Sequence, residues 1–155
     1  RTSSPAPRPG PGDGRPDLVV VQEGSVHVLE NFFGTALREV TAEVLPQPIV
    51  GVTCVGLFDA DGDGALDLIA GGHDVMQLLV NERARLTLQS SEPNPEHVAV
   101  TGLATGDLDG DGSAEVVVSR HGRPLVLTVA KNGRLGASER VLDPSTRAPR
   151  RWRGA

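Results

Sequence analysis

The chain reads Asp59-Ala60-Asp61-Gly62-Asp63-Gly64-Ala65-Leu66-Asp67, and 48 residues later it reads Asp107-Leu108-Asp109-Gly110-Asp111-Gly112-Ser113-Ala114-Glu115. Each copy places carboxylates at positions 1, 3, 5 and 9 and glycine at positions 4 and 6. Carboxylates this close repel one another unless a hard cation neutralises them, and Ca²⁺ takes six to eight oxygen ligands at roughly 2.3–2.6 Å. The pattern therefore predicts two Ca²⁺ sites, with Ala65 and Ser113 contributing backbone carbonyls. The predicted ligands are Asp59, Asp61, Asp63, Ala65 and Asp67 in the first site, and Asp107, Asp109, Asp111, Ser113 and Glu115 in the second.

The residues after each loop exclude a helix–loop–helix site. An EF-hand closes its site with a bidentate Glu at position 12 and continues into a helix. Position 12 is Ala70 in the first copy and Val118 in the second, and neither side chain can bind a metal. Aliphatic runs at residues 68–72 and 116–119 are typical of strands. The loops are therefore predicted to be Ca²⁺ turns between strands, which disfavours an intracellular calcium sensor.

The repetition extends beyond the acidic loops. The acids at position 9 are Asp17, Asp67 and Glu115, spaced by 50 and 48 residues. Asn31 and Asn81 each stand fourteen residues after the first two of these acids, and Asn132 is aligned with them by allowing three extra residues. A period near fifty residues indicates an array of repeated supersecondary units.

Each full repeat reads as four strands, which predicts an all-β fold of β-propeller blades. About three four-stranded antiparallel repeats are expected, fewer than a closed propeller contains. Residues 33–45 come nearest to a helical pattern, but Val40 and Thr41 fit a strand at least as well. The predicted strands are residues 49–57, 66–70, 75–80 and 84–88 in one repeat, and 97–104, 115–119, 124–130 and 138–142 in the next.

The repeats divide the chain into five predicted segments. The first blade is incomplete, because no clear innermost strand precedes its loop. We therefore expect either a fragment or a partial ring completed by further blades or by another chain. The segments are a flexible Pro-rich stretch at 1–12, a partial blade at 13–48, a blade with a Ca²⁺ loop at 49–96, a second such blade at 97–142, and a basic flexible tail at 143–155.

The loop, strands and period together resemble the FG-GAP/VCBS repeat family, whose Ca²⁺-loop propeller blades also occur in integrin alpha chains. The matching stretches are residues 59–69 and 13–20, and residues 31–43 look like the linker of the cartilage-acidic-protein type. The chain departs from the pattern at position 9 of the last loop, where Glu115 replaces Asp. Pro9 and Pro11 replace two acids of the first loop, which is expected to be empty or very weak. The resemblance implies Ca²⁺ ligation by Asp59, Asp61, Asp63, Asp67, Asp107, Asp109 and Asp111.

Composition limits the function classes. The net charge is −5, and the two full loops hold eight of the twenty acidic residues. Two bound Ca²⁺ ions would bring the balance to about −1. Local acidity and three Phe, one Trp and no Tyr argue against nucleic-acid binding. The single cysteine, Cys54, excludes an intrachain disulfide and is expected to be buried and inert. No membrane-spanning run is visible.

The sequence predicts a non-enzymatic, Ca²⁺-stabilised propeller segment that serves as a binding, adhesion or scaffold module for a protein or glycan ligand. An extracellular, cell-surface or periplasmic location is expected, because weak Ca²⁺ sites of about 10⁻⁴–10⁻³ M fill only where calcium is millimolar. The alternative hypothesis is the scaffold portion of a secreted carbohydrate-active enzyme. No nucleophile or metal-hydrolase motif supports catalysis in the chain itself.

Overall fold

The computed structural model describes residues 15–93, 99–107, 110, 114–120, 125–130 and 134–136. Within these residues the chain is almost entirely β, with one helical turn, α1 (Thr41–Val44). Three antiparallel sheets follow one another along the chain, which confirms the all-β fold of successive propeller blades. The strands are β1 (Leu18–Gln22), β2 (Ser25–Phe32), β3 (Ala36–Glu39), β4 (Val52–Phe58), β5 (Asp67–Gly72), β6 (Val75–Asn81), β7 (Leu86–Pro93), β8 (Val100–Gly106), β9 (Glu115–Arg120), β10 (Leu125–Ala130) and β11 (Arg134–Gly136).

Sheet 1 has the order β1-β2-β3, sheet 2 the order β4-β5-β6-β7, and sheet 3 the order β8-β9-β10-β11. Sheets 2 and 3 are thus four-stranded meanders. In the described part of the chain, no strand lies beside β1 at the position that β4 and β8 occupy beside β5 and β9. As far as the structure describes it, sheet 1 is therefore a three-stranded blade. The five segment boundaries given by the sequence stay a prediction, since the residues outside the described ranges include both ends of the chain.

The central hairpin has the same register in all three sheets. Leu18 pairs with Leu29 in sheet 1, and Leu68 pairs with Leu79 in sheet 2. In sheet 3, Val116 pairs with Leu127. In each case the first residue directly follows the acid at position 9, and its partner lies eleven residues further on.

This shared register corrects the sequence alignment of the third repeat. The residue fourteen positions after Glu115 is Val129, within β10, so Val129 occupies the place of Asn31 and Asn81. The prediction that Asn132 holds this place, after three extra residues, was wrong. Asparagines at this position in the first two repeats suggested that the third repeat also has one. The length of the hairpin is instead fixed by strand pairing, and it is the same in all three repeats.

Two apolar cores hold the sheets together face to face. Core 1 lies between sheets 1 and 2, and core 2 lies between sheets 2 and 3. The alternating side chains of β5 serve both cores, which explains why every residue of β5 is buried. Core 1 contains Val26, Val28, Val40, Val44, Leu45, Ile49, Val52, Leu68, Ala70, Leu79 and Leu86. Core 2 contains Phe58, Ala60, Ile69, Met76, Leu78, Val100, Val116, Val118 and Leu135.

Polar contacts join neighbouring sheets along their inner strands. The Thr53 hydroxyl in β4 donates to the Gly71 carbonyl (3.1 Å) and also to the Val100 carbonyl of β8. The Cys54 thiol lies 3.7 Å from the same Val100 oxygen. Cys54 is half-buried rather than buried as predicted, and its burial raises the pKa of the thiol, which keeps it protonated. Sheet 1 is joined to sheet 2 by the Val52 N–H, which donates to the Gly24 carbonyl (3.0 Å).

The segment between sheets 1 and 2 differs from its sequence-based interpretation. Val40 and Thr41 do not continue a strand, because Val40 caps α1 and Thr41 begins it. The Thr41 hydroxyl accepts the Val28 N–H (2.8 Å), so a side chain takes the place of the next ladder bond. This substitution ends the pairing of β3 with β2 and lets the chain turn toward β4.

Several predicted strand limits also shift. β4 begins at Val52, because Gly51 has a φ of +74° and breaks the predicted strand at 49–57. β7 begins at Leu86, because Arg83 and Ala84 have positive φ in the turn before it. The fourth strand of sheet 3 is β11, whereas the predicted strand at 138–142 lies outside the described residues, as do residues 97 and 98 of the predicted strand at 97–104.

Gly71 allows β8 to approach β5 closely. A Cβ atom added at Gly71 would lie 3.0 Å from Val100 Cγ1 and 3.2 Å from Val100 Cβ. We predict that Gly71→Ala lowers the free energy of unfolding by about 1–3 kcal/mol, because the close-packed core must shift to admit the methyl group. Urea denaturation measures the change. The control is Gly102→Ala, whose added Cβ would meet nothing closer than Ser119 Cβ at 3.8 Å. Equal effects of the two substitutions would contradict the prediction.

Candidate metal centre

The acidic loop of sheet 2 connects the end of β4 to the start of β5. Its turn is built by Asp59, whose Oδ1 accepts the N–H groups of Gly62 (2.8 Å) and Asp63 (3.2 Å). Asp59 Oδ2 accepts the Gly64 N–H (3.0 Å). Gly62 and Gly64 have φ values of +82° and +87°, a region that strains other residues. The aspartate and the two glycines therefore fix the same tight turn from the side chain and from the backbone.

Asp67, at position 9, ties this loop to two neighbouring elements. Its Oδ2 accepts the Ala60 N–H (2.7 Å), and its Oδ1 accepts the N–H of Asn81 at the end of β6 (2.8 Å). The Asn81 side chain returns a bond to the Leu66 carbonyl (3.1 Å). Asp67 is 0% exposed, so both backbone donors are satisfied by a fully buried carboxylate. One side chain thus holds the start of the loop, the start of β5 and the end of β6 together.

Three of the predicted ligands come together in the structure. Asp59, Asp61 and Asp67 each direct a carboxylate oxygen into one group, in which these atoms lie within 4.8 Å of one another. Oxygens on opposite sides of a Ca²⁺ ion are about 4.6–5.2 Å apart, as twice the usual ligand distance requires. The spread of this group therefore suits a Ca²⁺ ion.

The other two predicted ligands of this loop are placed differently. Asp63 is not part of the three-carboxylate group, and its Oδ1 accepts the Ala65 N–H (2.7 Å). Asp61 Oδ1 accepts the Asp63 N–H (3.1 Å). Asp61 and Asp63 thus each accept the backbone N–H of the residue two positions later, which is the usual turn-forming bond of aspartate. The ligand roles of Asp63 and of the Ala65 carbonyl stay predictions.

The second acidic loop repeats the first where the structure describes it. The Gly110 N–H donates to Asp107 Oδ1 (2.6 Å), as Gly62 does to Asp59, and Gly110 has a φ of +80°. Glu115 is buried at 6% exposure, and it pairs with Gly106 of β8 and with Thr128 of β10. The remaining predicted ligands, Asp109, Asp111 and Ser113, lie outside the described residues. The ligand set of this loop therefore stays a prediction.

In the first, degenerate loop, which keeps Asp13 and Asp17, the structure describes the acid at position 9. Asp17 Oδ1 accepts the Asn31 N–H at 2.8 Å, the same bond and distance that join Asp67 to Asn81. The fourteen-residue spacing, interpreted from the sequence as a turn preference of asparagine, thus reflects a bond to the asparagine backbone. Pro9 and Pro11 replace two acids of this loop, so the hairpin bond is retained although two of the four acid positions are lost.

The environment of Asp67 disfavours its own charge. Burial raises the pKa of its carboxyl above the ordinary value of 3.8, and the bonds from Asn81 and Ala60 oppose this shift. Repulsion from Asp61 and Asp63 raises the pKa further. A cation among these carboxylates would favour the ionised form and offset both the burial and the repulsion.

Another polar cluster, outside the acidic loops, contains His27, Glu39 and Thr41. His27 Nδ1 lies 2.8 Å from Glu39 Oε1, and the Thr41 hydroxyl donates to the same oxygen (2.7 Å). The bond with His27, and then that with Thr41, lowers the pKa of Glu39. The hydroxyl is held by Glu39 and the Val28 N–H rather than by the histidine, so the cluster lacks the nucleophile–base contact of a hydrolase. Its role here is to support the turn between β3 and α1.

The repeated register and the shared loop geometry agree with a comparison against known protein families. Two overlapping stretches, residues 12–70 and 59–118, match the FG-GAP-like repeat. The chain belongs to the FG-GAP-like repeat family. Each match runs from one loop region into the strand that follows the next, so the two FG-GAP matches together cover the second and third loops and most of the first. No curated protein and no solved structure gives a significant match.

FG-GAP membership supports a propeller-type repeat module with a structural or binding role. The three-carboxylate group could hold a metal ion, which agrees with the calcium binding often found in FG-GAP repeats. Among the residues that the structure describes, no helix has the length and apolar character needed to cross a membrane.

The bonds of Asp67 and Asp17 predict a stabilising role that does not need metal. In the presence of chelator, we expect Asp67→Ala to lower the free energy of unfolding by about 2 kcal/mol, because it leaves two backbone N–H donors without an acceptor. Asp17→Ala, which removes one such acceptor, should cost about 1 kcal/mol. Asp61→Ala serves as the control and should change stability by less than about 0.5 kcal/mol, since its side chain is exposed. If Asp67→Ala is no more destabilising than Asp61→Ala, the hairpin role is wrong.

The raised pKa of Asp67 predicts a pH dependence of the metal-free protein. A carboxyl whose pKa is higher in the folded state binds its proton more tightly there, so folding is favoured at low pH. This contribution is lost as the pH rises from about 3.8, the ordinary value, through the raised folded-state pKa. Relative to Asp67→Asn, the wild type should therefore become less stable across this window. Thermal melts in chelator at successive pH values measure the difference, and parallel curves would contradict it.

Proposed function

We propose that the chain is a Ca²⁺-binding FG-GAP blade module of an extracellular protein, in which the metal is structural and the propeller serves as a non-catalytic binding, adhesion or scaffold unit. The observation that carries the proposal is the convergence of the Asp59, Asp61 and Asp67 carboxylates at the junction of β4 and β5. Exposed acidic groups are common without metal, but this group includes a fully buried aspartate. Its position in a family repeat supports a site rather than an incidental cluster.

In this proposal the ion is held by Asp59, Asp61 and Asp67, together with Asp63 and the Ala65 carbonyl predicted from the sequence. When bound, it supplies positive charge that offsets the mutual repulsion of the carboxylates. The residues of the loop are directly continuous with the strands and the core beside it. Asp59 follows β4 directly, Asp67 opens β5, and Ala60 lies between them with its side chain in core 2. A cation at the loop is therefore expected to stabilise the contact between sheets 2 and 3.

The proposed location follows from the affinity expected of such a loop. Extracellular Ca²⁺ modules bind with dissociation constants of about 10⁻⁴–10⁻³ M, so they are filled only where calcium is millimolar. The first loop has lost two acids, which leaves at most two such sites in the sequence. The proposed ligand of the module is a protein or a glycan rather than nucleic acid, because the chain is acidic and poor in aromatic residues.

We predict that Ca²⁺ stabilises the wild type and that Asp61→Asn removes the part of this effect that comes from the loop at residues 59–67. In 10 mM calcium, about 10 to 100 times the expected dissociation constants, the gain from one site is about 1.4–2.7 kcal/mol, and the melting temperature should rise by about 3–10 °C. Thermal melts in 10 mM CaCl₂ and in chelator measure the shift. The control is Asp74→Asn, the same chemical change at an exposed residue in the turn at the opposite end of β5.

The control substitution should leave the calcium-dependent shift as large as in the wild type. Magnesium at the same concentration tests whether the effect is one of general charge screening. A wild-type melting curve that is the same in calcium and in chelator would show the proposed structural role of Ca²⁺ to be wrong.

A further inference from the structure

The segment that connects sheet 1 to sheet 2 forms a closed loop beside the edge of β2. It leaves β2 at Val28, whose carbonyl accepts the Val40 N–H (2.9 Å). It returns to β2 at Val26, whose N–H donates to the Ile49 carbonyl (3.1 Å). We call residues 40–49 the linker loop. Compact surface loops whose ends lie close together are frequently functional.

A cavity of about 500 Å³ lies between the linker loop and the edge of β2. Small-ligand sites in proteins have volumes of about 300–1,000 Å³, so the cavity is large enough to receive a side chain or a small molecule. Its apolar lining has a buried part, which forms the floor, and an exposed part. The buried residues are Val26, Val40, Leu45 and Ile49, and the exposed ones include Pro46 and Pro48.

Two exposed glutamates, Glu39 and Glu43, also line this cavity. Among the described residues, no lysine or arginine lines it, and His27 adds no charge in its neutral form. The bond with His27, and then that with Thr41, lowers the pKa of Glu39, which favours a charged carboxylate. Both bonds are made to Glu39 Oε1, and a carboxylate can accept further bonds at its second oxygen.

Arg38 lies near the cavity but does not neutralise these two glutamates. Its Nη2 lies 2.8 Å from the buried Glu30 carboxylate, and its Nε donates to the same oxygen (2.9 Å). Its Nη1 is 3.6 Å from Glu43, which is beyond hydrogen-bond distance. Because Arg38 and Glu30 cancel each other's charge, two negative charges remain at the cavity.

The charge and the apolar floor together favour an organic cation over a metal ion. In the described part of the chain, the group of acidic side chains close enough to hold a metal is that of Asp59, Asp61 and Asp67, not the glutamates of the cavity. Lysine and arginine side chains pack their aliphatic stems on apolar surface and keep the charged head at the solvent. A buried apolar floor beside exposed carboxylates is complementary to such a side chain.

We propose that the cavity beside the linker loop receives a lysine or arginine side chain of a partner protein, with its stem on the apolar floor and its charged head beside Glu39 and Glu43. This inference rests on the binding role proposed above, and it selects a protein rather than a glycan as the ligand. A neutral or acidic glycan would supply neither the cation nor the aliphatic stem that the cavity fits.

Titration of the ¹⁵N-labelled chain with the peptide acetyl-Ala-Lys-Ala-amide, in 1 mM CaCl₂ at pH 7.5, tests the proposal. Backbone amide chemical shifts should change in a saturable way in the linker loop and at residues 25–28 of β2. The same peptide with norleucine in place of lysine keeps the stem and lacks the charge. It should bind about tenfold more weakly, because it forms no ion pair with either glutamate.

The double substitution Glu39→Gln and Glu43→Gln tests the two carboxylates directly. It removes both charges at nearly constant size, and the amide oxygen at position 39 can still accept the bonds of His27 and Thr41. Binding of the lysine peptide should weaken by about tenfold. The matched control is Glu82→Gln with Glu92→Gln, the same changes at two exposed residues of sheet 2 that do not line the cavity, and it should bind as the wild type does.

Circular dichroism of each variant establishes that it is folded. Equal binding of the lysine and norleucine peptides, or full binding by the Glu39→Gln, Glu43→Gln variant, would overturn the proposal. Equal weakening in the control variant would also overturn it, since the attraction would then belong to the acidic chain as a whole. If no peptide binds while Ca²⁺ still raises the melting temperature, the cationic site is wrong and the proposed structural role of Ca²⁺ is supported.

Discussion

The fold depends on one hydrogen-bonding arrangement, in which the carboxylate at position 9 accepts a backbone N–H from the strand across the hairpin. Asp17 and Asp67 do this at the same distance of 2.8 Å, although only the second belongs to a full acidic loop. A backbone donor at the end of a strand would otherwise be left without a ladder partner. By accepting the N–H of the residue fourteen positions later, the acid fixes where the second strand stops pairing and hence the register of the whole hairpin. The side chain at position 9 therefore belongs to the acidic loop and also determines how the strands of the hairpin pair.

The hairpin is therefore already stabilised by the hydrogen bonds of the acid at position 9, and the capacity of the loop to bind metal is additional to these bonds. Asp67 uses both oxygens for backbone donors and still contributes one of them to the three-carboxylate group. Asp59 likewise organises the turn through three backbone N–H groups before any ion is considered. The carboxylates are thus pre-positioned by the chain itself, which reduces the ordering that binding would require. The cost is a buried acid with a raised pKa, and this is the feature that a cation would relieve.

Much of this architecture could be predicted from the sequence, because the repeat fixes both spacing and residue type. The acids, the glycines of the turn and the aliphatic runs placed the strands of sheet 2 within a few residues. The origin of the fourteen-residue spacing could not be predicted. The sequence shows an asparagine at this position, but it does not show whether the side chain or the backbone N–H of that residue makes the contact with the acid. The error at Asn132 followed from this, whereas the shared hairpin register places Val129 at the position of Asn31 and Asn81. The contacts of Thr53 and Gly71 with the next blade were also missed, because they join residues 29 to 47 positions apart.

The three blades also show which parts of the repeat are separable. Sheet 1 has the hairpin register and the position-9 bond, but two acids of its loop are replaced by proline and no innermost strand lies beside β1 in the described residues. Its aliphatic pattern is nevertheless kept on both sides of the sheet, including at Leu37, which pairs with Asn31 as the buried Leu86 pairs with Asn81. A blade that needed only one neighbour would gain nothing from a second apolar face, which is costly to leave in water. The two-sided aliphatic pattern is therefore kept in sheet 1 although two acids of its loop are replaced by proline, so the two features of the repeat are separable.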